Sequence, residues 1–167
     1  TVYLGVFDAA LFTELGGFDE KLVRNQDYEL NIRIREAGRS VWFTPEMVVK
    51  YLPRSNISQL FWQFFQYGSW KRKVIFKHPK SVKIRQLAPP SLVALIVASV
   101  ILFVVFSAWY LIPLATYLLV SIAVSILQRK LPLQLRVTLS LIFITMHVAW
   151  GLGFLVGRAT THTIPDK

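Results

Sequence analysis

Cysteine is missing from this chain of 167 residues, so a disulfide framework and a thiolate metal site are both excluded. Acidic residues are almost missing from its larger part, because residues 47–167 contain a single acid, Asp166, against fourteen Lys and Arg. Charge of either sign is missing from residues 86–128, a run of 43 positions. Such a run excludes an ordinary soluble domain for this region, since the helices of a soluble fold carry a polar face.

What the chain does contain is apolar and basic. It is 54% hydrophobic, has a mean hydropathy of +0.47 and carries a net charge of +10. Residues 1–46 hold five Lys and Arg against eight Asp and Glu, so the excess positive charge belongs to the second part. There the cations flank uncharged runs instead of forming one folded basic face, which predicts a lipid bilayer as partner and no nucleic acid.

The uncharged runs predict three membrane spans. As one helix, residues 86–128 would be roughly 65 Å long, about twice the ~30 Å hydrocarbon core, so this run must cross twice. The break falls at "SAWYLIP", where Trp109 and Tyr110 are interface-type aromatics and Pro113 can start a helix. The uncharged run 137–157 adds a third crossing, and the predicted spans are residues 90–106, 111–127 and 137–157.

Basic clusters predict the orientation of these spans. Residues 71–85 hold seven Lys and Arg and no acid, and Arg129, Lys130 and Arg136 lie between the second and third spans. The positive-inside rule places both clusters, and the first third of the chain, in the cytoplasm. The tail from Arg158 is then outside. We expect no signal peptide, because the first residues have neither a basic start nor an apolar core.

The first third is predicted to be an α/β fragment. Residues 1–7 form an apolar strand candidate, and residues 40–52 form two short strands broken at Pro45. Between them we expect a helix in residues 8–17, closed by Gly16 and Gly17. A second helix covers residues 26–37, with Asn25 as N-cap and Gly38 just past its end.

Two carboxylates open this second helix. Asp27 shares a helical face with Leu30 and Ile34, whereas Glu29 shares another with Arg33, where it can form a surface pair. Geometry therefore assigns Glu29 to the surface and points Asp27 with the apolar stripe. For Asp27 two interpretations stay open at this stage: a catalytic carboxylate in a cleft, or an acid that complements the helix dipole.

Residues 56–74 read as an aromatic, amphipathic helix that runs into the basic cluster. Asn56 and Gln59 have the spacing of a capping box, and an interfacial position would turn residues 71–73 toward lipid headgroups. Gln66 and Trp70 lie one turn apart. A Trp face can pack on the C–H face of a sugar while an amide bonds its hydroxyls, so this pair predicts a carbohydrate contact.

Four short motifs occur in a characteristic order: "GGFDE" at 16–20, "NQDYELN" at 25–31, "PRS" at 53–55 and "QYGSWK" at 66–71. With the basic segment and three spans that follow, they resemble the membrane-bound family 2 glycosyltransferases, most closely the succinoglycan-type subgroup. The resemblance implies a GT-A catalytic domain whose C-terminal part is residues 1–55. Residues 56–86 would be the interface helix and basic linker, and residues 87–167 the transmembrane region.

The same resemblance implies a reaction. A sugar would pass from a nucleotide-sugar donor to a growing glycan or polyprenyl-linked acceptor in exopolysaccharide synthesis, with inversion, at the bacterial inner membrane. It assigns Asp27 as general base. The residues that it assigns to acceptor binding are Gln66, Trp70, Asp19 and Glu20.

Two residues depart from the family pattern, and the first is Gln26, which stands where the family has the Glu of a Glu-Asp pair and leaves the base Asp27 intact. The Arg of the family's second motif is Ser69 here, so the charge near the diphosphate is expected from Lys71 or Arg72. No Asp-x-Asp occurs in the chain, so a divalent metal (Mg or Mn) is expected in the full-length enzyme with its ligands outside this chain. The chain alone is then expected to be inactive.

Alternatives to this interpretation remain. A non-catalytic membrane anchor or assembly module for a partner subunit would make Asp27 and Trp70 purely structural. Gly153 and Gly157 form a G-x-x-x-G that permits close helix packing within the chain or in a homodimer. His147, at the middle of the third span, is either a functional group or a neutral packed side chain.

Overall fold

The computed structural model describes residues 5–46, 48, 50 and 54–158. It contains six α-helices: α1 (Ala9–Glu14), α2 (Gln26–Glu36), α3 (Ile57–Lys77), α4 (Ile84–Val105), α5 (Ile112–Ile126) and α6 (Leu133–Val156). Short 3₁₀ helices, Pro79–Ser81 and Ala108–Leu111, precede α4 and α5.

The expected strands are not found among these residues. Residues 5–7, 40–46, 48 and 50 are described and are not strands, while residues 1–4, 47, 49, 51 and 52 of the same candidates lie outside the described part. A strand is assigned by hydrogen bonds to a neighbour, and the described residues offer no neighbouring strand. The prediction of an α/β fragment is therefore wrong for the part of the chain that is described, which is helical.

The two helices of the first third begin and end close to their predicted positions. Asp8 caps α1 by accepting a hydrogen bond from Leu11 N at 2.9 Å. Gly16 and Gly17 follow with φ of 75° and 68°, and Gly38 follows α2 with φ of 73°. These left-handed conformations favour glycine, which explains why both helices stop where they do.

α3 is longer than predicted and continues to Lys77. Asn56 is its N-cap, and the side-chain oxygen of Asn56 accepts a hydrogen bond from Gln59 N at 2.8 Å. The aromatic residues of its first half surround one another, with Phe61, Trp62 and Phe65 in mutual ring contact.

The three apolar helices confirm the number of predicted spans: α4, the 3₁₀ helix with α5, and α6 are each long and apolar enough to cross a membrane. The chain is a multi-pass membrane protein. α4 begins at Ile84 rather than at residue 90, because Gln86 caps it upstream of the prolines by accepting a hydrogen bond from Lys83 N at 3.2 Å.

α3 packs most extensively against α6, through small residues. A Cβ added to Gly153 would collide with the backbone carbonyl of Phe65, and one added to Gly68 would collide with that of Trp150. Ser69 Oγ lies between the helices and donates to Gly153 O at 3.1 Å. The two backbones therefore approach so closely that only glycine fits at these positions.

Both glycines of the G-x-x-x-G are used in this contact. Gly153 lies against Phe65 and Gly157 against Ser69, so the motif packs within the chain. A homodimer through the same glycines would need a surface that α3 already covers.

The last turns of α6 also meet the start of α4, since Gly151 lies against the carbonyl of Pro89 and the side chain of Val93. This packing places the end of α6 beside α3. The outer location of the tail, which the basic clusters indicate, stays a prediction. His147 is exposed on α6, and its Nδ1 lies 3.1 Å from the hydroxyl of Tyr117 on α5. His147 is thus hydrogen-bonded to Tyr117 but not enclosed between helices.

Candidate functional site at the start of helix α2

The start of α2 has an unusual backbone. Asn25 occupies the predicted N-cap position, but its φ is 62° and its side chain makes no capping hydrogen bond. A non-glycine residue in this left-handed region is strained, and such residues concentrate at functional sites. The Nδ2 atom of Asn25 is buried and has no hydrogen-bond partner among the described residues.

Asp27 lies in the first turn of α2 and is partly buried. It differs from the other carboxylates of this helix, because Glu29 and Glu36 both have recorded ionic partners whereas Asp27 has none in the described part of the chain. A partly shielded carboxylate without a protein partner is available to a ligand. This is the arrangement that a general base requires.

Gln66 faces this same end of α2. Its side-chain oxygen accepts a hydrogen bond of 2.7 Å from Nε of Arg24, which is three residues before Asp27. The guanidinium carbon of Arg24 lies 5.6 Å from the centre of the neighbouring Tyr67 ring. The structure thus places Gln66, with Arg24 and Tyr67, at the start of α2, and the acceptor-binding role of Gln66 stays a prediction.

Trp70 belongs to the core and not to the site. Its side chain is 3% exposed and packs with Leu22, Ile32 and Val74. Further protein around this chain can only reduce that exposure. The prediction that Trp70 stacks on an acceptor sugar is therefore wrong for this arrangement.

The prediction that Glu29 lies on the surface is wrong, because this residue is fully buried. Both its carboxylate oxygens accept from Nε of Arg33, at 3.1 and 2.9 Å, and Lys77 Nζ and His78 Nε2 reach one of them at 2.6 and 3.0 Å. Burial favours the neutral acid, but these hydrogen bonds outweigh it and hold the pKa of Glu29 below its usual value.

This buried carboxylate joins three parts of the chain. Arg33 donates from Nη2 to Gly17 O at 2.6 Å and from Nη1 to Leu15 O, which attaches the glycine turn to α2. Lys77 and His78 attach the end of α3. The cluster around Glu29 therefore fixes the mutual position of "GGFDE", α2 and α3.

Asp19 and Glu20 of that turn have different surroundings. Asp19 accepts from Lys77 Nζ at 2.8 Å, and this hydrogen bond is the main reason why the pKa of Asp19 is below its usual value. Burial opposes the charge of Lys77, but its bonds to Asp19 and Glu29 prevail and raise its pKa. Glu20 is exposed. Asp19 thus anchors the turn to α3, which leaves Glu20 as the accessible acid there.

Of the cations expected near a diphosphate or at the headgroups, Lys71 is turned inward. Lys71 is 8% exposed, and its Nζ lies 2.9 Å from the centre of the Tyr28 ring. Burial lowers the pKa of Lys71, with the Tyr28 hydrogen bond opposing it. Arg72 donates to Leu155 O at 3.0 Å, and Lys73 donates to Lys21 O at 3.0 Å. The headgroup-facing prediction is therefore wrong for the buried Lys71, and it stays a prediction for the half-buried Arg72 and the exposed Lys73.

A protein metal site needs several donor side chains that converge on one point. Within the described ranges, no group of three or more His, Asp and Glu side chains is placed to hold a metal ion. The carboxylates nearest to one another, Asp19 and Glu29, are already neutralised by Lys77. These residues do not fit a divalent metal.

About half of the chain is similar in sequence to known proteins. The chain is 38% identical over 78 residues to the succinoglycan biosynthesis protein ExoA of Rhizobium meliloti, a match that covers 47% of this chain and 24% of the relative. Over these 78 residues the chain is similar to the succinoglycan-type, family 2-like glycosyltransferases. Its second match is the dolichyl N-acetyl-alpha-D-glucosaminyl phosphate 3-beta-D-2,3-diacetamido-2,3-dideoxy-beta-D-glucuronosyltransferase of Methanococcus voltae, 30% identical over 78 residues, or 46% of this chain and 24% of the relative.

The chain spans about a quarter of the length of the curated proteins that it matches. No protein-family model matches the chain, and no solved structure matches it.

Arg24 is the site residue that the sequence reasoning missed. Its neighbours Asn25 and Asp27 were singled out, but the missing charge was sought on α3, after Ser69. The only signal in the sequence is the position of Arg24 directly before "NQD".

Proposed function

We propose that this chain is the C-terminal part of a membrane glycosyltransferase that transfers a sugar, with inversion, from a nucleotide-sugar donor to a growing glycan or polyprenyl-linked acceptor in exopolysaccharide synthesis. Its relatives among the glycosyltransferases support the class of reaction. The observation that carries the proposal for this chain is Asp27: a partly buried carboxylate, beside a strained Asn25, without a partner among the described residues.

In the proposed reaction the acceptor hydroxyl oxygen forms a bond to the anomeric carbon of the donor sugar. The bond from that carbon to the diphosphate oxygen breaks, and its electron pair leaves with the nucleoside diphosphate. Asp27 takes the proton of the acceptor hydroxyl. Attack opposite to the leaving group inverts the anomeric centre.

The surroundings of the four predicted acceptor-binding residues decide which of them we keep as proposed acceptor contacts. Gln66 is at the site, where its amide nitrogen has no recorded partner in the described part of the chain and is free to bond a sugar hydroxyl while its oxygen is held by Arg24. Glu20 is the exposed acid of the turn and a second candidate. Trp70 and Asp19 have packing and anchoring contacts instead.

The proposed location is the bacterial inner membrane with the catalytic part in the cytoplasm, supported by the basic residues at 71–85 and at Arg129, Lys130 and Arg136. A divalent metal that supplies charge to the leaving diphosphate would be held by residues outside this chain.

The test is Asp27→Asn in the full-length enzyme. Loss of a general base lowers the rate by about 10²–10⁴-fold. We therefore expect sugar transfer to fall at least about a hundredfold, with binding of the nucleotide-sugar donor unchanged. Near-full activity of the variant would refute the assignment and favour the anchor function.

The matched control is Glu36→Gln. Glu36 lies on the same helix, and its side chain is 51% exposed. We expect this variant to keep its transfer activity, because it removes one negative charge from α2 without touching the site.

A further inference from the structure

The phosphate contact of this site has no obvious donor on α3. The position where the family pattern has an arginine is Ser69, which lies in the contact with α6 and donates to Gly153 O. Lys71 is buried against Tyr28, and Arg72 donates to Leu155 O on α6. Ser69 and Arg72 are thus turned to α6, and the ammonium of Lys71 is occupied by the Tyr28 ring.

Arg24 faces the start of α2. Its Nε atom donates to Gln66 at 2.7 Å, and its guanidinium lies over the Tyr67 ring. No partner is recorded for its Nη1 and Nη2 atoms among the described residues, and no ion pair joins it to Asp27 there. One edge of the guanidinium is therefore fixed by α3, and the other edge is left with up to four N–H donors.

This geometry suits a phosphate. A guanidinium binds phosphate oxygens through two parallel N–H donors, and anchoring one edge orients the other before the ligand arrives. Stacking on Tyr67 restricts the plane of the group further. The unpartnered Nδ2 of Asn25 adds a further donor, on the residue next to Arg24.

We infer that Arg24 binds a phosphate group of the substrate beside Asp27, and that Gln66 and Tyr67 hold Arg24 in the orientation that this contact needs. The inference rests on the proposed function and deepens it. The phosphate belongs either to the diphosphate of the donor or to the lipid-linked acceptor, and the two sources have the same chemistry at this residue.

The experiment measures binding rather than turnover, in the full-length enzyme in detergent. UDP, GDP and dTDP report on the diphosphate, and undecaprenyl phosphate reports on the lipid-linked acceptor. We expect Arg24→Gln to weaken at least one of these four ligands by about tenfold or more, since hydrogen bonds to charged groups are the stronger class. Which arm responds identifies the source of the phosphate.

Arg35→Gln is the matched control, because Arg35 is exposed on α2, the helix that follows Arg24, and its side chain has no partner among the described residues. We expect less than a twofold effect from it. Arg24→Lys should recover only part of the affinity, because a lysine keeps the charge without the two-donor edge. If Arg24→Gln weakens none of the four ligands more than Arg35→Gln does, the inference is overturned.

A second variant tests the side chain that anchors Arg24. Gln66→Leu removes the anchor and keeps the charge of Arg24, so it should weaken the same ligand by a smaller factor than Arg24→Gln does. An unchanged affinity would refute the role of Gln66 in orienting Arg24. Asp27→Asn should bind the same ligand normally, so loss of the base assignment and loss of the phosphate assignment give different results.

Discussion

Replacing Glu29 by Gln tests the buried cluster that joins α2 to the end of α3. The change keeps the shape of the side chain and removes the charge that faces Arg33, Lys77 and His78. Removing one partner of a buried ion pair costs about 3–5 kcal/mol. The side chain of Lys77 is 43% exposed and can be rehydrated, so we expect about 2–3 kcal/mol here.

Thiol labelling can measure this loss, because the chain contains no cysteine of its own. Val74 is fully buried beside Trp70 and Leu22, between α3 and α2, so Val74→Cys reports separation of the two helices. When closing is faster than labelling, the labelling rate follows the open population. Glu29→Gln should then raise the rate about 30- to 140-fold, since each ~1.4 kcal/mol is a factor of ten.

Glu36→Gln is the control for this prediction. Glu36 contacts the same His78, at 3.2 Å, but from the surface, where an ion pair contributes about 0–1 kcal/mol. Its labelling rate should rise by about fivefold or less. Equal effects of the two substitutions would refute the reasoning that burial makes the Glu29 cluster the stronger of the two.

Protonation of Glu29 is the pH counterpart of this substitution. Its folded-state pKa is lowered, so its contribution is fully present above the unfolded value, about 4.3, and is lost as the pH falls through the lower folded value. Lys77 has a raised pKa, so its contribution is present below about 10.4 and is lost as the pH rises above that. Labelling at Val74→Cys, corrected for the reactivity of a free peptide thiol, should therefore rise as the pH falls below about 4.3. A rise near neutral pH would contradict the assignment.

Three further predictions concern the packing of the helices and their topology in the membrane. Gly153→Leu should lower the melting temperature in detergent strongly, because any side chain there collides with Phe65 O, whereas Val156→Leu on the exposed side should have little effect; similar melting temperatures would contradict the contact. Trp70→Ala should cost about 3–5 kcal/mol of stability as a core truncation, and Trp62→Ala, whose side chain is 52% exposed, much less; equal losses would return Trp70 to the surface. Arg158→Cys should react with an impermeant maleimide added to intact cells, because three crossings that start from a cytoplasmic first third leave the end of α6 outside; reaction in inverted vesicles alone would contradict this topology.

The helix boundaries could be predicted because their signals are local. Gly16, Gly17 and Gly38 adopt the conformations that their positions demand, and Asn56 caps the helix that follows it. The apolar runs likewise predict three long helices by composition alone. Each of these features depends on a few adjacent residues, which a single sequence contains.

The misplaced residues depend on distant ones. Glu29 was assigned to the surface with Arg33 because the pair completes a polar face, but Lys77 and His78 come from 48 and 49 positions away to cover it. Trp70 was read as a sugar platform for the same reason, since nothing nearby in sequence announces that Leu22 and Ile32 enclose it. The apolar face of α3 was predicted, but not the partner that it packs against.

The close contact of α3 with α6 has a consequence for the order of assembly. Ser69 and Gly153 are 84 positions apart, and α6 is the last helix of the described chain to leave the ribosome. Until it is inserted, the face of α3 that carries Gly68 and Ser69 has no backbone to close on, and the turn of α3 that presents Gln66 to Arg24 is unsupported. The site is thus completed only when α6 has been inserted, so that a chain interrupted before α6 would contain Arg24, Asp27 and Gln66 and lack the helix that positions them.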